Sequence, residues 1–249
     1  LTVPSGYQTG IKLVSPFTVP AGGTTELILD FDADQSVVET GVKDKWLLKP
    51  TIRVLNQANQ VTVSGKVSDD SDMNGTSISA QKVDPESNGT NRIQVLGSTV
   101  AEGEEDSTNA TYTLLTVSGE QNIVAYKDGY TPEVVHINPS AGDALTRDFQ
   151  HESTETGYIS GNVSVASELY EGDVVVLSFR TNTDDLYIEV KSKKRSVESN
   201  SNSDWDYNAT LPEAKEFKIV GTYFDEDGNF IAEDTQNATT TSTNVDFTF

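Results

Sequence analysis

Three groups of residues have types and spacing that could do chemistry. Asp30, Asp32 and Asp34, followed by Ser36, place an oxygen ligand at every second position, as the start of an EF-hand calcium loop does. The full loop also needs Gly at its sixth position and a bidentate Glu at its twelfth. Gln35 and Gly41 stand there, so of two readings, a calcium site or a strand end with solvated carboxylates, the missing ligands favour the second. Asp225, Asp227 and Asn229 around Gly228 form another oxygen-rich turn. An Asp-Gly pair between Phe224 and Phe230 is first a hairpin signal, because Gly supplies positive φ. The sequence therefore calls for no cofactor, with Ca2+ as the alternative.

Six Asn-x-Ser/Thr sequons stand at Asn74, Asn88, Asn109, Asn162, Asn208 and Asn237. They fit either a glycosylated surface or the loop composition of a Ser/Thr-rich chain. Lys191, Lys193, Lys194 and Arg195 form the basic cluster of an acidic chain, next to the polar stretch SVESNSNSDWDY. It reads as a solvated hairpin loop or as a docking patch for the acidic face of a neighbouring copy. The two histidines, His136 and His151, lack a nucleophile elbow, an HExxH helix or a phosphate-cradling glycine loop nearby. The reading is non-enzymatic.

Composition narrows the partners. Net charge is −22 over 249 residues, from 39 acidic and 17 basic side chains. Such a surface repels nucleic acid and anionic lipid, which require a basic footprint. With 0 Cys there is no disulfide and no thiolate-bound metal. No apolar run approaches the roughly 20 residues of a membrane helix. The sequence begins at Leu1 without an initiator Met, and the expectation is either that a longer chain was cut here or that a leader, or more, was removed in maturation.

The elements that must position these residues are strands. Period-two alternation and turn residues mark strands near Gly10 to Val14, Thr25 to Phe31 and Pro50 to Leu55 in an opening segment, residues 1–56. Three short strands leave one face of a small sheet uncovered, with Leu27, Leu29, Ile52 and Val54 on it. Further strands follow at Ser77 to Val83, Arg92 to Gly97, Thr111 to Val117, Asn122 to Lys127, Glu133 to Ile137 and Leu145 to Phe149. From Gly157 the pattern returns: GYISGNVSV echoes VTVSGKVSD about 95 residues later, and Tyr207 to Phe247 echoes Tyr112 to Phe149. The expected organisation is an incomplete segment (1–56), one β-sandwich (57–153) and another (154–249).

Two resemblances attach to these residues. VPSGYQTGIKLVSPFTVPAGGTTELILDFDADQSVVETG and WLLKPTIRV resemble the C-terminal part of an uncharacterised bacterial domain family of secreted lipoproteins, itself a β-sandwich. SGKV, Tyr112, VAYKDGYTPEVVHI and LTRDF, with SGNV, Tyr207, FKIVGTYFDEDGNF and NVDFTF, are similar to carboxypeptidase regulatory-like domains, transthyretin-like sandwiches of about seven strands. The fold class implied is all-β, tandem immunoglobulin-like sandwiches after an incomplete one, in an extracellular or cell-surface protein. The first functional reading is a structural subunit, pilus-like, whose copies join by β-strand addition to the opening segment. The alternatives are an adhesin or glycan-binding module using aromatics such as Tyr170, Tyr187, Trp205 and Tyr207, and a spacer in a surface lipoprotein. The partners expected are copies of itself, other surface proteins or glycans.

Overall fold

Alternating burial along the strands shows why this sequence folds as sheets. On β8 (Asn109–Val117), Ala110, Tyr112, Leu114 and Thr116 point inward while Thr111 and Thr113 face solvent. On β16 (Trp205–Pro212), Trp205, Tyr207, Ala209 and Leu211 do the same against Asp206, Asn208 and Thr210. The computed structural model describes residues 27–32, 37–39, 46–48, 51–56, 59–69, 71–83, 92–104, 108–165, 173–183, 186–196, 204–213, 215–225, 230–241 and 244–249.

The first sandwich has one sheet ordered β10 (Glu133–Ile137), β9 (Gln121–Tyr126), β6 (Ser77–Val83), β7 (Ile93–Val100). Its other sheet centres on β5 (Gln60–Ser68), with β8 antiparallel on one side and β11 (Ala144–Thr146) and β12 (Phe149–Gln150) parallel on the other. The second sandwich repeats this. One sheet runs β18 (Phe230–Thr239), β17 (Glu216–Phe224), β14 (Val174–Thr183), β15 (Leu186–Ser196), and the other runs β16, β13 (Thr156–Ser164), β19 (Phe247–Thr248).

The repeat extends to a closing latch. Gly65 pairs with Tyr112 and Gly161 with Tyr207. Each tyrosine hydroxyl donates to the main chain just before the last strand, Tyr112 to the Arg147 carbonyl at 2.7 Å and Tyr207 to the Val245 carbonyl at 2.7 Å. Asp148 accepts from the Lys66 amide at 3.0 Å, and Asp246 from the Asn162 amide at 2.8 Å. The next residue, Phe149 or Phe247, enters the core with its ring near the tyrosine, at centroid distances of 6.1 and 6.3 Å. The glycines allow the approach. A Cβ at Gly65 would stand 1.7 Å from the Arg147 carbonyl oxygen, and one at Gly161 would stand 2.0 Å from that of Val245.

The opening segment divides. β1 (Leu27–Asp32) and β4 (Thr51–Asn56) form an antiparallel two-stranded sheet. β2 (Val37–Glu39) and β3 (Trp46–Leu48), two strands that the sequence pattern did not mark, instead extend the second sandwich: β2 lies parallel to β15, with Arg195 opposite Glu39. Part of the segment expected to await another chain is thus completed within this one. The reason is that β15 continues to Ser196 and offers an edge there.

The sandwiches also pack on each other. Every residue of β9 is buried. Ile123 and Ala125 face the first core, while Val124 and Tyr126, on the opposite face, join the apolar cluster of the second sandwich.

Candidate functional site

The basic cluster lies on a strand: Lys193 to Arg195, expected in a hairpin loop, continue β15 beyond Lys191. Lys191 to Arg195 belong to β15 and pair with β14 from Val175 to Phe179. Lys191 and Arg195 are engaged inside the chain. Lys191 Nζ lies 2.8 Å from both carboxylate oxygens of Asp128 in the first sandwich and donates to the Thr210 carbonyl at 3.1 Å. The Arg195 guanidinium stands 5.1 Å from the centroid of the Trp205 ring.

Beside this ion pair lies a contact with no local signal in the sequence. The Gln81 side-chain amide, 2 % exposed, binds the main chain of Glu189 at both ends: its Nε2 donates to the Glu189 carbonyl at 2.7 Å and its Oε1 accepts from the Glu189 N–H at 2.9 Å. A neighbouring strand would offer the same pair of bonds. Next to it Ser178 donates to the Glu189 carboxylate and accepts from Arg180 Nε at 2.9 Å. Burial pushes the Glu189 carboxyl above its ordinary value and the Arg180 guanidinium below its own. Gln81 and Glu189 are 108 residues apart, so no local period could have linked them.

On the opening segment, Leu29 pairs with Val54 and Phe31 with Ile52. Leu29 is 55 % exposed and Leu27 half-buried. The side chains of Ile52, Val54, Asp30 and Asp32 lie outside the described residues, as do Asp34, Asp227, Asn229, Asn88 and Tyr170. β17 and β18 pair antiparallel, with Phe224 opposite Phe230, and Asp227 and Gly228 between them lie outside the described residues. Among the described residues no group of three or more acidic or His side chains is gathered for a metal ion. Of the sequons, Asn74, Asn109, Asn208 and Asn237 are exposed; Asn162 is half-buried, and its amide donates to Asp206 at 3.1 Å.

Two aromatics put forward for sugar stacking are core residues: Trp205 and Tyr207 are 7 % and 5 % exposed. They sit at inward positions of β16, where alternation fixes their direction. Tyr187 is exposed. His136 Nδ1 lies 3.0 Å from Asn122 Oδ1, and the buried His151 contacts the Thr131 carbonyl at 3.2 Å. Burial holds the His151 imidazole below its usual value.

The family model described as "Domain of unknown function (DUF4382)" matches residues 1–50. That is the opening segment, where the lipoprotein-domain resemblance was read. No curated protein matches the chain. Similar solved structures include a leucine-rich repeat protein from Bacteroides thetaiotaomicron, with 12 % identity, 77 % of this chain and 26 % of that chain covered, and a TM-score of 0.31. This chain thus spans about a quarter of that one. A DUF3823 family protein from Parabacteroides merdae has 10 % identity, coverage of 72 % and 98 %, and a TM-score of 0.26. The shaft pilin SpaA from Lactobacillus rhamnosus GG has 11 % identity, coverage of 76 % and 97 %, and a TM-score of 0.24. At these TM-scores the fold assignment stands on the strand pairing above.

Proposed function

We propose that the protein is a non-catalytic, extracellular structural subunit of the cell surface whose copies join by adding strands to the opening segment. The β1 and β4 pair carries this reading. It is a two-stranded sheet among the described residues, with Leu29 more than half exposed, whereas isolated two-stranded sheets are marginally stable in water. Strand addition from a second copy supplies both the hydrogen bonds and the cover that the described residues do not give this sheet. The same segment already extends a sheet in cis, through β2 on β15. Repeated head-to-tail addition gives an open fibre unless the rotation closes a ring.

Sedimentation and electron microscopy of the intact protein test the proposal. Linear particles are expected, dispersed by Leu29→Lys with the urea midpoint of the two sandwiches unchanged. Protein that stays monomeric up to roughly 100 µM, or particles that survive Leu29→Lys, would refute it.

A further inference from the structure

At one end of the second sandwich the finish of β14, the start of β15, the start of β17 and the finish of β18 surround a cleft of about 590 Å³, within the range of small-ligand sites. Cross-strand pairing assembles it: Asn182 stands opposite Tyr187, Lys218 opposite Asn237, and Phe217 opposite Ala238. From β15 to β18 it crosses four adjacent strands, roughly 14 Å at ordinary strand spacing.

The lining has a particular chemistry. Phe217 and Ala238 border the cleft with main chain, their side chains being buried in the core on the other face of the sheet, and the exposed Tyr187 ring supplies its apolar wall. Glu216 and Lys218 bring one negative and one positive charge, which cancel locally in a chain of net charge −22. Asn182 and Asn237 add amides that both donate and accept. An anionic ligand would meet Glu216 and the field of the whole chain. A purely apolar ligand would leave the amides and charges unpaired. An uncharged, polyhydroxylated molecule satisfies all three features, its hydroxyls exchanging hydrogen bonds with the amides and carboxylate and its C–H face lying on Tyr187.

We infer that this cleft is a binding site for a neutral oligosaccharide, with Tyr187 as the stacking wall and Asn182, Glu216, Lys218 and Asn237 as the polar contacts. The site is separate from the strands proposed for assembly, so a subunit can carry it whether or not copies join. Asn237 also heads an Asn-Ala-Thr sequon, and a glycan attached there would fill the same cleft.

The test uses the full chain from a bacterial host that leaves Asn237 bare. Malto-, cello-, manno- and chito-oligosaccharides are titrated and followed by calorimetry and by NMR shifts. Saturable binding to at least one series is expected. Tyr187→Ala should weaken it about tenfold and Glu216→Gln severalfold, while Tyr158→Ala, which removes a ring 50 % exposed on the other sheet, leaves it unchanged. No saturation by any series at up to roughly 10 mM, or binding indifferent to Tyr187→Ala, overturns the inference. Sedimentation of the same samples reads assembly separately.

Discussion

Replacing Gly161 by Ala sets a methyl group 2.0 Å from the Val245 carbonyl oxygen and 2.6 Å from its carbon. Two responses are open to the fold. It can release the closing strand. That gives up the Tyr207 hydroxyl bond to Val245, the Val245 amide bond to Ser160 and the Phe249 amide bond to Ser164, at about 1 kcal/mol each. Release also re-exposes Phe247, now 1 % exposed, for roughly 2–3 kcal/mol. Alternatively the chain can strain in place, which for an overfilled site costs about 1–3 kcal/mol. Strain is the smaller loss, so β19 should stay docked and the variant should lose roughly 1–3 kcal/mol. Urea unfolding followed by tryptophan fluorescence should then show a lower midpoint. Hydrogen exchange should quicken at the Val245 and Phe249 amides while the β14 amides keep their protection. Gly65→Ala, with its tighter 1.7 Å approach to Arg147, should lose at least as much. If both variants unfold within about 0.5 kcal/mol of the native chain, the latch does not hold the closing strands as described.

The contact between sandwiches separates by burial. Gln81→Leu strands the Glu189 N–H and carbonyl and should cost about 2–4 kcal/mol, splitting a single calorimetric transition into two. Lys191→Ala should cost under about 1 kcal/mol, because Asp128 is 53 % exposed and water screens the pair. Equal losses for the two variants would contradict this account. The buried His151 makes stability depend on pH. The fold favours the neutral ring, so below the ordinary value near 6.5 the unfolded chain binds more protons and stability falls as pH drops through that value toward the lower folded one. The raised carboxyls of Glu189 and Glu133 act in the opposite sense: their burial penalty at neutral pH is relieved as they protonate on acidification. His151→Phe should therefore lessen the fall in urea midpoint, or turn it into a rise, between pH 7.5 and 5.5 relative to the native chain. An unchanged slope would show that His151 does not titrate differently on folding.

Much of the fold was legible locally. Period-two alternation marked β6 and β10 at their observed bounds, and the pairing of SGKV with SGNV, Tyr112 with Tyr207 and RDF with VDF foretold two sandwiches closed in the same way. The site was less legible. Lys193 to Arg195 looked like a loop because charge and low complexity outweighed the strand signal, yet pairing to β14 carries the strand through them. Trp205 and Tyr207 looked available, but their register on β16 turns them inward.

The sequence by itself determined most of the strands and the repeat, because each depends on residue type at a fixed short spacing or on two copies of one pattern, whereas the latch joins positions 35 to 84 residues apart and took shape only in the fold. Tertiary structure alone decided that β9 is covered on both faces, that Gln81 completes the main chain of Glu189, that β2 joins β15, and that Tyr187 shares a cleft with Glu216 and Asn237. Those pairings join positions tens to more than a hundred residues apart. Along a strand, the side-chain pattern says which face is buried but not which distant strand or sheet will cover it.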